Sequence, residues 1–400
     1  MFHSGSFRLR SCQRNEVREA KLFFRAKTIV GIQGVKFAHV QRRRVFSCVA
    51  NTTLERPLPF SKMSGRMAVS TSLDTFTMTL GDNQVIKCDT SRTILDNILH
   101  AGMTTNYSCL AARCKTCKVK VLHGSYVLKQ PEGVLSEVER QDGYVLSCNT
   151  YPRSNIVLDV APLEDFIRHE PRIVPAKISE LELHTENLLT LKLRFPPNQH
   201  IQFVPGQYVN IIKGGVRRSY SIAGVSLAGE FLFVIRNHKN GQMSSYLFEH
   251  AKINDLCQVE GPYGTFYLRS TKNVKEVFFI VTGTGIAPVK AILEAMVAGH
   301  SFGGGVKYFL IWGNRMPDEF IWYPAPMFPI KFIPVLSRPN DNWTGKVGYV
   351  QDVLGDLIKD KAIRQFYLCG NLKMIDDVVA FVTHAGYSRK DCFVDAFLPS

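Results

Sequence analysis

Three cysteines stand within one short stretch of this chain, and few folds can accommodate them. The stretch YSCLAARCKTCKVKV, residues 107–121, contains Cys109, Cys114 and Cys117 with the spacing C-x4-C-x2-C, and Cys148 follows at the end of a predicted strand. The 400-residue chain has ten cysteines, too few for a disulfide scaffold of this length. Crowded thiols in such a chain indicate metal or redox chemistry in a reducing compartment.

The spacing of these four cysteines favours an iron-sulfur cluster. A C-x4-C-x2-C loop with a distant fourth cysteine is a known way of holding a 2Fe-2S cluster. One loop can supply three thiolates only if it curls tightly round the cluster. Structural zinc is one alternative, because C-x2-C is half of many zinc sites, although a matching second pair is missing and His123 is the nearby imidazole. Buried unreactive thiols are the other alternative.

Short periodic segments on both sides of the loop predict a small mixed α/β domain at residues 74–162. The segments FTMTL and Val85-Ile86-Lys87 flank a Gly-Asp-Asn turn, which predicts a β-hairpin. The segment TILDNILH has apolar residues at helical spacing, with Ser91 or Thr93 as the predicted N-cap. Further elements are predicted at residues 118–123, 135–140, 144–148 and 156–160.

Two larger domains are predicted downstream, after a linker marked by Pro162, Pro171 and Pro175. Short strands at turn-bounded intervals predict an antiparallel β-barrel at residues 172–270. At residues 273–400, strands and helices alternate, which predicts a doubly wound parallel sheet. The expected fold class is therefore multidomain, α+β followed by α/β.

The net charge of +15 is concentrated at the N-terminus. Residues 1–70 contain 14 Lys or Arg and three acidic residues, whereas the rest of the chain contains 35 and 31, which argues against nucleic-acid binding. We expect residues 1–70 to be an unstructured basic extension. It is either an organelle transit peptide or, as we prefer, sequence upstream of a start at Met63 or Met67.

The apolar runs of the chain are short, and this bears on its location. The longest, VFFIV and YFLIW, are far shorter than the roughly 20 residues of a membrane helix. We therefore expect a soluble cytoplasmic protein without a membrane span. If the basic extension is a real transit peptide, we expect an organelle protein instead.

Two later motifs contain residue types that bind phosphates and rings. GVRRSYSIAG places Arg218, Tyr220 and Ser221 on one predicted strand, although plain sheet explains such a strand equally well. VTGTGIAP, residues 281–288, follows a strand and opens a helix, whose N-terminus would present free N–H groups to a pyrophosphate. It lacks the full G-x-G-x-x-G fingerprint and the acidic residue for a ribose, which argues against an ordinary Rossmann dehydrogenase.

These motifs together resemble those of the ferredoxin-NADP reductase superfamily, in its three-domain form. Residues 74–161 are similar to a plant-type ferredoxin, a β-grasp domain whose four ligands match the four cysteines. Arg218-Ser219-Tyr220-Ser221 matches the family's R-x-Y-S signature, and Cys369-Gly370-Asn371 matches its C-G-x segment. The likeness extends to reductases of CDP-6-deoxyglucose 3-dehydration and of oxygenase systems.

The resemblance implies roles for individual residues. Ser221, near the flavin N5, and Cys369, beside the nicotinamide, would be the catalytic residues. Arg218 would pair with the FAD diphosphate, and Tyr220 would lie against the isoalloxazine. The other cofactor-binding residues implied are Ser219, Gly241, Met243, Ser244, Gly283, Thr284, Gly285, Pro288, Ser337, Arg338, Gly370 and Phe397.

Two of these assignments leave alternatives open. Arg338 beside Ser337 suits the 2′-phosphate of NADPH, yet several relatives with a similar serine use NADH. We favour NADH, with NADPH possible. Phe397 would cover the flavin face or belong to a surface tail.

The cysteine loop departs from the family pattern at two positions. Such loops usually contain C-x-x-G-x-C-G-x-C, and here Ala112 and Lys115 replace the glycines. If either position requires a positive φ, its side chain costs on the order of 1 kcal/mol.

The resemblance also implies a function. Electrons from NAD(P)H would pass through FAD, the two-to-one converter, and the 2Fe-2S cluster to a protein acceptor, either a dehydratase or an oxygenase component. The alternative is a binding or scaffold protein whose ferredoxin domain has lost its cluster.

Overall fold

The computed structural model describes residues 76–299 and 302–397, so the basic extension expected at residues 1–70 lies outside the described residues. The described residues contain three large sheets, of five, seven and six strands, and one small two-stranded sheet. None of the helices in these ranges has the length and apolar character required to cross a membrane.

The first unit is a five-stranded mixed sheet with a helix packed on it. Its elements are β1 (Phe76–Thr79), β2 (Val85–Cys88), α1 (Ile94–His100), β3 (Lys118–His123), β4 (Tyr126–Leu128), α2 (Glu137–Gln141), β5 (Tyr144–Leu146), β6 (Thr150–Pro152) and β7 (Ile156–Asp159). The strand order is β2-β1-β7-β3-β5, and β4 pairs separately with β6. Thr93 caps α1, because its hydroxyl accepts a hydrogen bond from the Asp96 N–H.

The second unit is a curled antiparallel sheet of seven strands. Its elements are β8 (Arg172–Thr185), β9 (Leu188–Arg194), β10 (Tyr208–Lys213), β11 (Val216–Ser221), β12 (Gly224–Val225), β13 (Phe231–Arg236), α3 (Gln242–Ser245) and β14 (Leu256–Tyr263). The order is β11-β10-β14-β8-β9-β13-β12. Its core contains the fully buried side chains of Leu191, Val209, Phe233 and Val259.

One residue of the expected linker lies in this sheet. Pro175 is part of β8, where it stands opposite Gln258 of β14, so its assignment to the linker was wrong. The pairing of β8 with β9 begins only at Lys177. Pro175 therefore has a neighbouring strand on one side, which is the kind of position where a strand tolerates a residue without an N–H group.

The third unit is a parallel sheet of six strands covered on both faces. Its elements are β15 (Glu276–Thr282), α4 (Ile286–Ala298), β16 (Lys307–Asn314), β17 (Ile330–Leu336), β18 (Lys346–Val347), α5 (Val350–Leu357), β19 (Arg364–Asn371), α6 (Leu372–His384) and β20 (Cys392–Phe397). The order is β18-β17-β16-β15-β19-β20. Because α4 packs on one face and α5 and α6 on the other, the sheet is doubly wound as expected.

The strand order predicts where a ligand-binding crevice lies. β15 has the later strand β16 on one side and β19 on the other, so the direction of winding reverses at β15. In open α/β sheets, ligands bind beyond the carboxyl ends of the strands at this reversal. Residues 283–285, which follow β15, are therefore at the expected position for a nucleotide.

Candidate redox site

The four expected ligands, Cys109, Cys114, Cys117 and Cys148, lie as two pairs of thiols. Cys117 Sγ is 3.3 Å from Cys148 Sγ, and Cys114 forms a hydrogen bond with Cys109. Each iron of a 2Fe-2S cluster takes two protein ligands, whereas structural zinc takes four round one ion. Nowhere in residues 76–299 and 302–397 do three His, Cys, Asp or Glu side chains converge on a single-ion position. The paired arrangement fits a two-iron cluster.

Hydrogen-bond donors surround the sulfur atoms of this loop. Donation from the Cys114 thiol and from the N–H groups of Ala111 and Arg113 lowers the pKa of Cys109 to about 6. Donation from the Cys117 thiol likewise lowers the pKa of Cys148. The thiolate is the form of cysteine that binds metal. The loop therefore already favours the charged form of one cysteine in each pair.

The loop backbone is left-handed at three residues with side chains. Leu110, Ala112 and Lys115 have φ values of 53°, 56° and 57°. Ala112 and Lys115 occupy the positions where related loops have glycine. Both substitutions identified in the sequence therefore fall where a positive φ is required. A side chain in this conformation costs on the order of 1 kcal/mol, and the loop carries that strain.

Restoring glycine at these positions is expected to stabilise the loop. For Ala112→Gly and Lys115→Gly, we expect a gain of up to about 1 kcal/mol each in the free energy of unfolding. Thermal unfolding and the rate at which iron-sulfur absorption disappears on warming would measure it. Ala111→Gly is the matched control, because its φ is not positive and glycine there adds only chain entropy to the unfolded state. Equal destabilisation by all three substitutions would contradict this account.

The R-x-Y-S residues lie on β11, at the edge of the second sheet. Arg218 and Tyr220 alternate with Ser219, so they share a face of the strand, and both are partly buried. The Ser219 hydroxyl lies on the other face and donates to Asn210 Oδ1 at 2.7 Å. Ser221, the last residue of β11, is buried. A cation and an aromatic ring on one face suit a diphosphate beside a ring system.

Gly241 is the N-cap residue of α3, and Gln242 to Ser244 belong to this short helix, which packs beside β11. The Ser244 hydroxyl is buried and lies 2.9 and 3.0 Å from the carbonyl oxygens of Gly241 and His238, either of which can accept its one proton. Met243 is buried in the core of the second unit. The side chains of Ser244 and Met243 thus make contacts within the protein, so backbone groups are what the start of α3 can offer to a ligand.

The glycine-rich turn after β15 brings two strand ends into close contact. A Cβ atom on Gly285 would lie 2.3 Å from the Cys369 carbonyl oxygen, and one on Gly370 would lie 2.3 Å from Thr282 Oγ1. No side chain in the described residues caps α4, which begins at the next residue after Gly285. The Ile286 N–H already donates to the Gly283 and Thr284 carbonyls, and Pro288 has no N–H, so a phosphate would meet this helix end through its positive dipole and the turn that precedes it. Thr284 lies in the turn, partly buried, and Pro288 is buried in the first turn of α4.

Ser337 and Arg338 follow β17 at the same edge of the sheet. The Ser337 N–H donates to the Asn314 carbonyl at 3.1 Å, and the Arg338 N–H donates to the Arg315 carbonyl at 3.1 Å. Arg315 and Arg338 are both exposed, so two cations stand next to each other at this edge. Arg315 was not predicted from the sequence, although its position directly after a parallel strand was a usable signal.

Asp395 in β20 joins residues from all three units. Its carboxylate accepts hydrogen bonds from Ser108 at 2.6 Å, from Ser221 at 3.2 Å and from the Cys369 thiol at 3.9 Å. It is 4% exposed, and burial raises its pKa. The structure thus brings together Ser221 and Cys369, expected to be catalytic, and the residue preceding Cys109. Asp395 was not predicted from the sequence.

Other residues of β20 also contact the cysteine loop. Cys114 packs in the apolar cluster of the third sheet that includes Val394, and the Thr116 hydroxyl lies 3.4 Å from the Val394 carbonyl. The pair Cys109 and Cys114 therefore faces β20, whereas Cys117 packs in the interior of the first unit.

Phe397 ends β20 opposite Asn371 and packs partly buried on the third unit. It therefore lies within the sheet, two residues beyond Asp395.

Comparison with known proteins identifies three domains in the chain. Family models for a 2Fe-2S iron-sulfur cluster binding domain, an oxidoreductase FAD-binding domain and an oxidoreductase NAD-binding domain match residues 78–153, 175–267 and 279–380. These domains correspond to the mixed sheet, the curled antiparallel sheet and the doubly wound sheet. They define an NAD(P)H-dependent oxidoreductase with FAD and a 2Fe-2S cluster as cofactors, which confirms the expected enzyme class and cofactors.

Two similar proteins are named as reductases. The chain is 31% identical over 322 residues to the CDP-6-deoxy-L-threo-D-glycero-4-hexulose-3-dehydrase reductase of Yersinia pestis, covering 79% of this chain and 96% of that protein. It is 27% identical to the ferredoxin–NAD(P)(+) reductase component of the Pseudomonas putida naphthalene 1,2-dioxygenase system, covering 80% and 97%. The chain belongs to the three-domain iron-sulfur flavoprotein reductases of the ferredoxin-NADP reductase superfamily.

A solved structure confirms the fold. The crystal structure of an Amycolatopsis cytochrome P450 reductase matches with a TM-score of 0.63 at 24% identity, covering 81% of this chain and 99% of that one. The expected three-domain architecture is therefore correct.

Proposed function

We propose that this reductase takes a hydride from NAD(P)H and delivers single electrons to a separate protein, a dehydratase or an oxygenase component. The observation that carries the proposal is the carboxylate of Asp395, which lies within hydrogen-bond distance of Ser221, Cys369 and Ser108. One buried group thus contacts β11 of the FAD-binding domain, β19 of the NAD-binding domain and the residue that precedes Cys109. Relatives named as dehydrase and dioxygenase reductases support both kinds of acceptor.

We assign the 2Fe-2S cluster, FAD and NAD(P)H, in that order, to the domains at residues 74–162, 172–270 and 273–400. Together, NAD(P)H, FAD and the cluster supply hydride donation, conversion of two electrons to one, and one-electron delivery. The cluster ligands are Cys109, Cys114, Cys117 and Cys148. The FAD-binding residues are Arg218, Ser219, Tyr220, Ser221, Gly241, Met243, Ser244 and Phe397. The NAD(P)-binding residues are Gly283, Thr284, Gly285, Pro288, Ser337, Arg338, Cys369 and Gly370.

The chain's own residues prepare this site electrostatically. Burial raises the pKa of Cys369, so it stays a neutral thiol that donates toward Asp395. Ser221 donates to the same carboxylate from the flavin strand. A carboxylate in a water-excluded site stabilises nearby positive charge more strongly than it does in water. Asp395 is therefore placed to stabilise positive charge that develops between Ser221 and Cys369.

Visible spectroscopy of the purified protein tests the function. We expect flavin bands together with broad iron-sulfur absorption, and we expect both to bleach when NADH is added without oxygen. A colourless protein would support the alternative, a scaffold without a cluster. The two pairs of thiols favour the reductase, because a domain that had lost its cluster would not need them.

We propose NADH as the preferred coenzyme, with NADPH also accepted at Arg315 and Arg338. Charge reversal in Arg338→Glu is expected to raise KM for NADPH about tenfold more than KM for NADH, because it removes a charged hydrogen bond to the 2′-phosphate. Steady-state kinetics with both coenzymes would measure this. Lys331→Glu, exposed at the other end of β17, is the matched control. An equal change for both coenzymes would remove Arg338 from this role.

We also propose that the protein acts in the cytoplasm. The basic extension at residues 1–70 leaves organelle import as the alternative, and fractionation of cells expressing the full chain would distinguish the two.

A further inference from the structure

A buried arginine lies where the three units meet. Arg269 is in the connector between β14 and β15 and is 9% exposed. Its Nη2 atom donates to Asn106 Oδ1 at 2.8 Å and to the Thr265 carbonyl at 2.9 Å. Its backbone N–H donates to the hydroxyl of Tyr367 at 2.8 Å. A single residue therefore contacts the ferredoxin domain, the connector and the NAD-binding sheet.

Aromatic rings flank its guanidinium group. The guanidinium carbon lies 3.6 Å from the ring centroid of Tyr267 and 5.1 Å from that of Phe393, distances typical of cation–π contacts. The Tyr267 hydroxyl donates to Asp165 Oδ1 at 2.6 Å, in the segment that joins the ferredoxin domain to β8. The contacts of Arg269 thus continue into the interdomain linker.

Stability alone does not account for a cation at this position. The Nε and Nη1 atoms of Arg269 are buried and have no hydrogen-bond partner among the described residues. Burial lowers the pKa of its guanidinium group, so enclosing this charge costs free energy. Each buried donor without a partner costs on the order of 1–3 kcal/mol. Such a cost at an unsatisfied group calls for a functional explanation.

The ferredoxin-domain residues that bond to Arg269, Thr265 and Tyr208 come directly before Cys109, the first cluster ligand. We call Asn106, Tyr107 and Ser108 the docking segment. The Tyr107 N–H donates to Thr265 Oγ1 at 2.9 Å, and the Thr265 N–H donates back to the Tyr107 carbonyl at 3.0 Å. The Ser108 carbonyl accepts from the Tyr208 hydroxyl at 2.6 Å. Every residue of the docking segment is therefore bonded to the flavin-binding and NAD-binding part of the chain.

We infer that Arg269 is a positioning residue that holds the docking segment, and with it Cys109, in one fixed place beside the flavin site. The inference rests on the proposed function. Because Cys109 has a fixed position, one electron passes from the reduced flavin to the cluster without any movement of the ferredoxin domain. No bond is made or broken in this step, and no further reactant is required.

Replacing Arg269 separates this step from hydride transfer. Arg269→Met keeps an apolar chain between the rings and removes the bond to Asn106. In anaerobic stopped-flow experiments on the holoenzyme, we expect flavin reduction by NADH within about twofold of the parent rate, because Arg269 does not contact Ser221, Cys369 or Asp395. Electron transfer into the cluster is expected to slow at least about tenfold, since small displacements strongly reduce the rates of positioned reactions.

Two readouts distinguish positioning from general destabilisation. Transfer into the cluster is expected to be independent of sucrose viscosity in the parent protein and to become viscosity-dependent in Arg269→Met. Amide hydrogen exchange of the docking segment is expected to accelerate in that variant while exchange in α4 stays unchanged. The matched control is Arg194→Met, which removes an exposed arginine paired with Glu230 in the second unit. It is expected to change neither readout.

Asn106→Ala tests the same bond from the exposed side, where folding is less at risk. Its effect on cluster reduction is expected to vanish in the double variant with Arg269→Met, because both changes remove one interaction. Unchanged cluster reduction in Asn106→Ala and Arg269→Met would overturn the inference, as would an equal fall in flavin reduction and cluster reduction. Failure of the proposed function has a different signature, since the parent protein itself would then not reduce a cluster.

Discussion

Replacing Cys114 with serine is expected to block electron delivery from the cluster while leaving reduction of the flavin by NADH intact. The substitution removes one of four thiolates, and its partner Cys109 loses the hydrogen bond that lowers its pKa. Loss of a hydrogen-bonding partner of a metal ligand commonly costs 10- to 100-fold in metal affinity or activity, so loss of a ligand itself is expected to cost at least as much. We expect cytochrome c reduction to fall to about a hundredth and ferricyanide reduction, which needs only flavin, to stay within about twofold.

Cys88→Ser is the matched control for this prediction. Cys88 is also buried in the ferredoxin domain, and burial raises its pKa to about 11, but it packs in the core away from the cysteine loop. Serine there is expected to lower stability without changing the ratio of the two activities. If Cys114→Ser reduced cytochrome c at the parent rate, electrons would leave by a route that avoids the cluster.

Replacing Asp395 with asparagine is expected to slow flavin reduction by NADH about a hundredfold. Asparagine has nearly the same size and still hydrogen-bonds to Ser108 and Ser221, so the packing at the junction is retained. It removes the negative charge that we place between Ser221 and Cys369. Removing one preorganised electrostatic group from an active site typically costs 10²- to 10³-fold in rate. Single-turnover mixing with NADH would measure the step directly.

The stability of Asp395→Asn is expected to stay equal or increase, although its rate of flavin reduction falls. Burial raises the pKa of Asp395 above the value of about 3.9 expected in the unfolded chain. The stability from the protonated carboxyl is therefore fully present below about pH 3.9 and is lost as the pH rises through the raised pKa. Asparagine has no such loss, so at pH 7 to 8 we expect a Tm equal to or above that of the parent protein.

Asp376→Asn, an exposed change on α6, is the control for this comparison and is expected to alter neither rate nor Tm. A combined loss of Tm and rate in Asp395→Asn would show that the carboxylate acts mainly as a structural tie between the domains.

The parts of the site that the sequence revealed are those with fixed spacing along the chain. The cysteine loop is local, since a cluster needs three thiols from one curled segment, and its spacing survives any tertiary arrangement. The glycines after β15 are equally local, because backbone can approach backbone there only without a Cβ atom. The sequence also identified Ala112 and Lys115 as the positions where a positive φ, if required, would be costly, and the structure has a positive φ at both.

The parts that the sequence did not reveal depend on contacts between domains. Asp395 lies in an ordinary strand pattern, and its importance comes from Ser108 and Ser221, which are 287 and 174 residues away. Arg269 follows an aromatic segment, and nothing local distinguishes it from a surface arginine. Periodicity and spacing report on one element at a time, so residues that join three domains leave no such pattern.

The central claim is that FAD and one 2Fe-2S cluster act together in this chain, and an anaerobic titration with NADH tests it most directly. FAD takes two electrons and the cluster takes one, so we expect complete bleaching to need about 1.5 NADH per chain, in protein that contains about two irons and two acid-labile sulfides per flavin. Bleaching complete at about one NADH per chain, in protein without iron or acid-labile sulfide, would contradict the account.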